Sequence, residues 1–414
     1  MPDPLPSRHD HPQESGTVVH GTWEHRYADA IAAFARLFST GRGGGALAVY
    51  HRGRPVIDVW TGTADPDRGI AWQHNTAALS YSTSKGITAT VLHRLAERGL
   101  LDYHAPVAEY WPAFGANGKK KITVAEVLSH RAGLSHVTPL AKNLDELVDH
   151  HLMEERIAAA APDRWRGIPA YHAISFGWLA AGIARAVTGK GMSELYRTEL
   201  AEPLGTDGLH LGTPPSSANT TVAVSHGSSV PFGIPGAAHL LRIARRIPLP
   251  GTGFARAIYT HGIEQLTSGT APAILTGEMP AANGVFTARA VASVYNTIVT
   301  DTPLLSRSRV RQISRVQTWL PDRNLLLPMG WRLGYHSIPA PGAPRGFGHG
   351  GLAGSGGWAD PDSGLAVGLV HNWLPDARHL PRDQFVLPRL LAPVVRAATG
   401  TTHAQPQDLS TGIS

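Results

Sequence analysis

Cysteine is absent from the 414 residues, which excludes disulfides, thiolate metal sites and cysteine nucleophiles without fixing a compartment. No apolar run approaches the roughly 18 residues that a membrane-spanning helix needs. Residues 1–16, MPDPLPSRHDHPQESG, are polar and proline-rich and lack the apolar stretch of a secretory leader, so a flexible tail and a cytoplasmic protein are expected. Lysine is nearly missing too. It occurs only at Lys85, Lys119, Lys120, Lys121, Lys142 and Lys190, and arginine carries almost all the positive charge.

What is present describes an ordered globular chain, 42% hydrophobic and 16% charged, long enough for one large domain or two. The net charge of +6 and a pI near 9.6 raise the question of nucleic acid. The arginines are dispersed, and no zinc-finger, RNP or basic-zipper pattern accompanies them, so no nucleic-acid partner is expected. The densest cluster, SRSRVRQISR at 306–315, reads as a solvated helix face. The 22 histidines form no HExxH pattern. His9 with His11 and His150 with His151 read as surface residues, and neither a metal nor a cofactor is expected.

Along the chain, GGGALAVYHRGRPVIDVWTG (43–62) predicts two strands joined at His51-Arg52-Gly53-Arg54. In SYSTSKGITATVLHRLAERGLLD (80–102), Ile87, Val91, Leu92 and Leu95 recur at helical spacing and Gly99 stands where a C-terminal cap belongs. Further helical or loop segments follow at 122–134, 144–161 and 175–191, the last ended by Gly189. Residues 212–282, rich in Gly, Pro, Ser and Thr, read as a mobile insertion covering a site. A helix restarts at 287–298. Trp331, Leu333 and Tyr335 then alternate as in a strand, 354–372 reads as strand, Asp-Pro turn, strand, and RDQFVLPRLLAPVVRAATG closes as a helix. Strands at both ends with helices between them predict a sheet built from both termini. The expected division is a tail at 1–16, an α/β subdomain from 17–105 and 287–400, a helical subdomain at 106–286 containing the insertion, and a tail at 401–414.

The lone Lys85 sits three residues after Ser82 at a helix start, and residues three apart share a helix face. A serine hydroxyl is a poor nucleophile until a neighbouring base takes its proton. Lysine can be that base where burial lowers its pKa; arginine stays protonated and cannot. A Ser-x-x-Lys match arises about once by chance in a chain this long, so further marks are needed. Tyr171 stands just ahead of a predicted helix, and His349-Gly350-Gly351 just ahead of a predicted strand. A glycine-rich strand edge lets backbone N–H groups approach a substrate closely, as an oxyanion requires.

In this order and spacing, STSK, Tyr171 and HGG resemble the Ser-x-x-Lys, Tyr-x-Asn and Lys-Thr-Gly motifs of the serine β-lactamase and penicillin-binding-protein superfamily. The nearer likeness is to class C β-lactamases and the family VIII carboxylesterases. ITVAEVLSHRAGL, YHAISFGWLAAGIARAVTG, ANGVFTARAVA and GLAVGLVHN extend it over roughly residues 20–400. The resemblance implies an α/β (α+β) fold of β-lactamase/transpeptidase type, an antiparallel sheet flanked by helices plus a helical subdomain. It further implies Ser82 as nucleophile, Lys85 as its base partner and Tyr171 as proton shuttle. The backbone N–H groups of Ser82 and Leu352 would form the oxyanion hole, with His349, Gly350 and Gly351 lining the substrate.

Two departures bear on substrate. Ala173 stands where the lactamases carry the motif Asn, and His349 where they carry Lys. Both remove anchors for a lactam's acylamido and carboxylate groups and favour a neutral ester. Arg345 is the candidate substitute for the carboxylate anchor. No Gly-x-Ser-x-Gly elbow and no Ser-Asp-Asn appear, which argues against an α/β-hydrolase and a class A lactamase. The expectation is a serine esterase cleaving short- to medium-chain carboxylic esters through an acyl-enzyme. A β-lactamase, D,D-peptidase or acyltransferase on the same site is the alternative, as is an idle member acting in binding or assembly. The partner is a small-molecule ester, and a homodimer is compatible with this reading.

Overall fold

The computed structural model describes residues 11–12, 16–39, 41, 43–227, 237–244, 246, 252–267, 272–302, 304–375, 379, 382 and 384–400. Both ends of the chain enter one antiparallel sheet: β1 (Val18–Trp23), β2 (Gly44–His51), β3 (Arg54–Asp65), β4 (His336–Ser337), β5 (Phe347–Gly350), β6 (Gly356–Asp360) and β7 (Leu365–His371). Their order is β1-β3-β2-β7-β6-β5-β4, with two-residue additions at His11–Pro12 and Ile70–Ala71. The β2–β3 hairpin turns through Arg52 (φ 51) and Gly53 (φ 83), the left-handed pair that matches strand twist. The β2/β7 pair joins the two ends, with Val49 opposite Val367 and Ala48 opposite Gly368.

Four helices pack on the sheet, α1 (Ala28–Phe38), α2 (Thr83–Glu97), α4 (Ala288–Val299) and α5 (Val386–Thr399), while α3 (Ser175–Thr188) lies against α2 and other helices. Period-2 alternation sorts side chains between two cores. Leu47, Val49, Leu365, Val367 and Leu369 pack with α1 and α5. The opposite face carries small residues, Ala48, Ala366 and Gly368, beneath α4. A Cβ at Gly368 would lie 2.3 Å from the Ala288 carbonyl, and one at its neighbour Gly357 would lie 2.0 Å from the Tyr295 ring. Glycine at these paired positions lets α4 lie directly on the sheet.

Helix α2 departs from the amphipathic pattern expected of it. Every residue from Thr83 to His93 is buried, the polar ones included. The helix threads the middle of the molecule, so its hydroxyls and imidazole find partners inside. Thr88 meets Tyr196 at 2.8 Å, Thr90 meets Tyr335 at 2.7 Å and His93 meets Tyr103 at 2.7 Å. The end is as expected, with Gly99 left-handed (φ 76) and the Leu100 N–H returning to the Leu95 carbonyl.

One segment that pattern left open between helix and loop is resolved, and two local expectations are corrected. The segment 144–161 is two helices, Leu144–Val148 and His150–Ala159, because Asp149 leaves helical geometry (ψ 96) and its carboxylate caps the second through the Leu152 N–H. Trp331, Leu333 and Tyr335 are buried but form no strand. The chain turns at Gly334 (φ 80) and closes with the Arg332 N–H on the Tyr335 carbonyl. His150 is buried rather than exposed, 2.6 Å from Glu154, and the two glutamates around it raise its pKa against the opposing effect of burial. The helix over 306–315 forms as Arg307–Ile313, with Arg309 bound back to Glu97 and the Ala96 carbonyl.

Parts of 212–282 are tied into the molecule. Thr221–Val222 runs parallel to Thr76–Leu79, and His226–Gly227 pairs with Trp373–Leu374. The rest of the expected insertion (228–236, 245, 247–251 and 268–271), most of the two tails, and His9 lie outside the described residues. Among the described residues no helix is long and apolar enough to cross a membrane.

Candidate active site

Ser82 is delivered by a short strand, Thr76–Leu79, that leads into α2. Between them Tyr81 is held at φ 47, a left-handed conformation that a bulky residue seldom adopts. Ser82 occupies the N-cap position, yet its side chain makes no capping bond, so the hydroxyl is available for chemistry. Its neighbours anchor the turn: Thr83 Oγ1 donates to the Ser355 carbonyl at 3.1 Å, and Ser84 Oγ accepts the Gly284 N–H at 2.8 Å.

One turn along α2, Lys85 is fully buried with Nζ 3.0 Å from Ser82 Oγ. Nζ donates to the carbonyls of Ala173 (2.7 Å) and Ala281 (2.9 Å). No carboxylate pairs with it among the described residues. Burial drives its pKa well below the ordinary lysine value. Two carbonyl acceptors favour the ammonium, but a neutral amine satisfies both with its two N–H bonds and turns its lone pair to Ser82. The missing counter-charge and the burial together shift the balance toward the neutral form.

Tyr171 donates its O–H to Ser82 Oγ at 2.8 Å, and its ring centre lies 4.9 Å from Lys85 Nζ. Burial raises its pKa, partly opposed by the bond to Ser82, so it stays a phenol. The two shifts act together: a neutral Lys85 beside a protonated Tyr171 is favoured over the ammonium–phenolate pair. Tyr171 is fixed from behind. Its N–H donates to Asp322 Oδ1 at 3.0 Å, its carbonyl accepts from Asn324 Nδ2 at 3.0 Å, and Trp331 lies parallel to its ring, 9° apart at 5.7 Å. Asp322 Oδ2 accepts the Trp331 indole N–H at 3.0 Å, so one carboxylate holds the tyrosine and its stacking partner.

Strand β5 brings the third motif alongside. The His349 ring stacks toward Tyr171 at 6.2 Å and meets His336 at 5.1 Å. Its Nδ1 faces the Gly350 carbonyl, while Nε2 is buried without a hydrogen-bond partner among the described residues. Burial above all pushes its pKa down, so it is a neutral imidazole. Gly351 is the point of closest approach, since a Cβ there would sit 2.3 Å from the Ser80 carbonyl and 2.8 Å from Thr83 Oγ1. The Gly351 N–H is bound to the Ser355 carbonyl, and the short turn Leu352–Gly354 follows at once.

The structure thus gathers Ser82, Lys85, Tyr171 and His349, and places Gly351 at the start of α2, with Leu352 next in the chain. Ala173 contributes through its carbonyl, whatever its side chain. Arg345 does not reach this place; it forms a forked ion pair with Asp362 on an exposed surface. Ala281, Asp322, Asn324 and Trp331 were not foreseen. Ala281 acts through its backbone and leaves no mark in the sequence. Asp322 did leave one, as the lone acidic residue between Asp301 and Asp360. Among the described residues no group of three potential metal ligands occurs.

A fold that sets a serine at a helix start against lysine, tyrosine and a glycine-rich strand defines the β-lactamase class of serine hydrolases. The chain belongs to the β-lactamase family, whose pattern matches residues 26–389. It is 50% identical over 375 residues to the esterase/beta-lactamase LipL of Mycobacterium tuberculosis, covering 89% of this chain and 86% of that protein. It superposes on a family VIII carboxylesterase with a TM-score of 0.72 at 30% identity, over 90% of this chain and 99% of the other. A penicillin-binding-protein homolog from Caulobacter crescentus gives a TM-score of 0.76 at 27% identity, over 92% and 99%.

Proposed function

We propose that the protein is a serine ester hydrolase acting on short- to medium-chain carboxylic esters, with Ser82 as nucleophile. The observation that carries this reading is the position of Ser82 Oγ, 3.0 Å from Lys85 Nζ and 2.8 Å from the Tyr171 hydroxyl. Neutral Lys85 takes the Ser82 proton as Oγ bonds to the ester carbonyl carbon. The carbonyl oxygen, now an anion, is held by the N–H groups of Ser82 and Leu352. Tyr171 gives its proton to the departing alkoxide and is reprotonated from Lys85. Water then enters by the same route and releases the acid.

Specificity for a neutral ester rests on His349 and Ala173. An uncharged, buried imidazole cannot replace an ammonium opposite a lactam carboxylate, and an alanine side chain cannot bind an acylamido group. Losing a hydrogen bond to a charged group costs about 1.5–3 kcal/mol and a neutral one about 0.5–1.5 kcal/mol, so the two absent anchors together amount to about two to three powers of ten in kcat/KM. Lactam hydrolysis is the second reading, favoured by the compound name of the 50% identical relative. The test compares kcat/KM for p-nitrophenyl butyrate and nitrocefin on one preparation, with Ser82→Ala as the blank. The ester should be the far better substrate; a nitrocefin value equal to or above it would make the lactamase reading the leading one.

A further inference from the structure

Residues 319–330 form a closed surface loop, because Thr318 and Trp331 pair across its base and the Gln317 N–H donates to the Trp331 carbonyl at 2.7 Å. Within it the Leu326 N–H returns to the Asp322 carbonyl and the Asp322 N–H to that of Leu327. The loop is built around a buried carboxylate, and while Leu325 and Met329 pack inward against the core, its other large apolar side chains turn outward. Trp319 is 60% exposed, Leu320 54%, Leu326 54% and Leu327 56%. Pro321 and Pro328 are exposed beside them. Of the large hydrophobics exposed among the described residues, these four fall within nine positions, whereas the others are scattered. Scattered exposed apolar residues are ordinary; a group of them on one braced loop marks a contact surface.

Arginine outnumbers acid along this part of the chain, although Arg307, Arg309, Arg323 and Arg345 are ion-paired with Asp301, Glu97, Asp163 and Asp362. Between Asp301 and Asp360 the chain has seven arginines and only Asp322 as an acid, and that acid is buried. Arg311 and Arg315, just before the loop, are exposed and carry no ion pair among the described residues. Trp165, 42% exposed, stands on the adjoining loop with the Arg164 and Arg323 guanidinium groups each 5.1 Å from its ring. Arg323 joins the two loops through its N–H to the Pro169 carbonyl. Apolar tips flanked by free cations, without an exposed carboxylate on the loop, suit an anionic lipid surface, where tips enter the headgroup boundary and arginines meet phosphates.

We propose that the 319–330 loop docks the protein on an anionic lipid surface, with Trp319, Leu320, Leu326 and Leu327 inserted and Arg311 and Arg315 against the phosphates. The same loop holds Tyr171 through Asp322, so docking sets the Ser82 site next to the interface where water-insoluble esters reside. This consequence rests on the ester reading; the docking itself does not.

The test is cosedimentation of the full chain with vesicles of equimolar phosphatidylcholine and phosphatidylglycerol, against vesicles of phosphatidylcholine alone. The parent protein should prefer the anionic vesicles by about tenfold or more, and salt should weaken that binding. Trp319→Glu combined with Leu327→Glu should lose about tenfold or more on the anionic vesicles, the scale of one large apolar burial. Its turnover of soluble p-nitrophenyl butyrate should be unchanged, which shows that it folds. Arg311→Glu with Arg315→Glu should keep the tips and lose the anionic preference. Ser82→Ala should bind as the parent does while hydrolysing nothing, so loss of the ester reading would leave docking intact. Equal binding by parent and Trp319/Leu327 variant would overturn the proposal. So would a parent dimer that this variant dissolves, which would assign the face to a second copy.

Discussion

Lys85 Nζ stands 3.0 Å from Ser82 Oγ in full burial, with carbonyls of Ala173 and Ala281 as its other contacts. An ion-paired lysine would keep its proton. This one is surrounded by neutral acceptors, and its burial lowers its pKa in the direction that a general base near neutral pH needs. That relationship explains why a chain that otherwise uses arginine places lysine here.

Lys85→Arg should therefore be nearly as damaging as Lys85→Ala. Arginine restores the charge but cannot give up its proton, and loss of a general base typically costs ~10²–10⁴-fold. Steady-state turnover of p-nitrophenyl butyrate measures it. Activity restored by arginine to within a few-fold of the parent would show that Lys85 acts through charge alone. Tyr171→Phe, which removes only the hydroxyl donated to Ser82, should also lose most of the activity.

The pH profile follows from the same shift. Lys85 must be neutral to accept the proton, so kcat/KM should rise with pH through its lowered pKa and level off well before the ordinary lysine value of 10.5. Tyr171, with its pKa raised by burial, contributes no phenolate over that range. A rate measured against the Ser82→Ala blank that kept climbing through pH 10.5 would exclude a neutral Lys85 as the working base.

Gly351 and Gly350 should respond differently to alanine. A Cβ at Gly351 meets the Ser80 carbonyl at 2.3 Å, while one at Gly350 meets nothing within 4 Å. Gly351→Ala has to force β5 away from the start of α2. It should cost about 1–3 kcal/mol of stability by overpacking and about 10²-fold or more in kcat, the scale of losing an oxyanion donor. Gly350→Ala should leave the melting temperature near that of the parent. Paired melting curves and kcat values decide this, and a fully active Gly351→Ala protein would move the oxyanion site elsewhere.

Much of this arrangement was legible before the structure, for identifiable reasons. A three-residue spacing on a helix brings Ser82 and Lys85 together whatever surrounds them, and the β-type runs within 43–62 and 354–372, set off by turn residues, read as strands. Glycines at 99 and 189 marked helix ends because they stand at left-handed positions. What stayed hidden depends on tertiary context. Alternation at Trp331, Leu333 and Tyr335 reported burial, and the turn at Gly334 took the place of a strand. Asp149 is a capping residue inside 144–161, a run in which pattern did not separate helix from loop. Arg345 could be judged only once Asp362 was seen beside it. The brace behind Tyr171 joins residues about 150 positions apart, at Tyr171 and at 322–331, and no local pattern connects them.

The central claim is that Ser82 is a nucleophile activated by its two neighbours, and covalent labelling tests it most directly. The protein is treated with a fluorophosphonate, digested and analysed by mass spectrometry, alongside Lys85→Arg as a comparison. The account predicts a stable adduct of one phosphonyl group on Ser82, formed far more slowly in Lys85→Arg. No adduct on Ser82, or equal labelling rates in the two proteins, would contradict it.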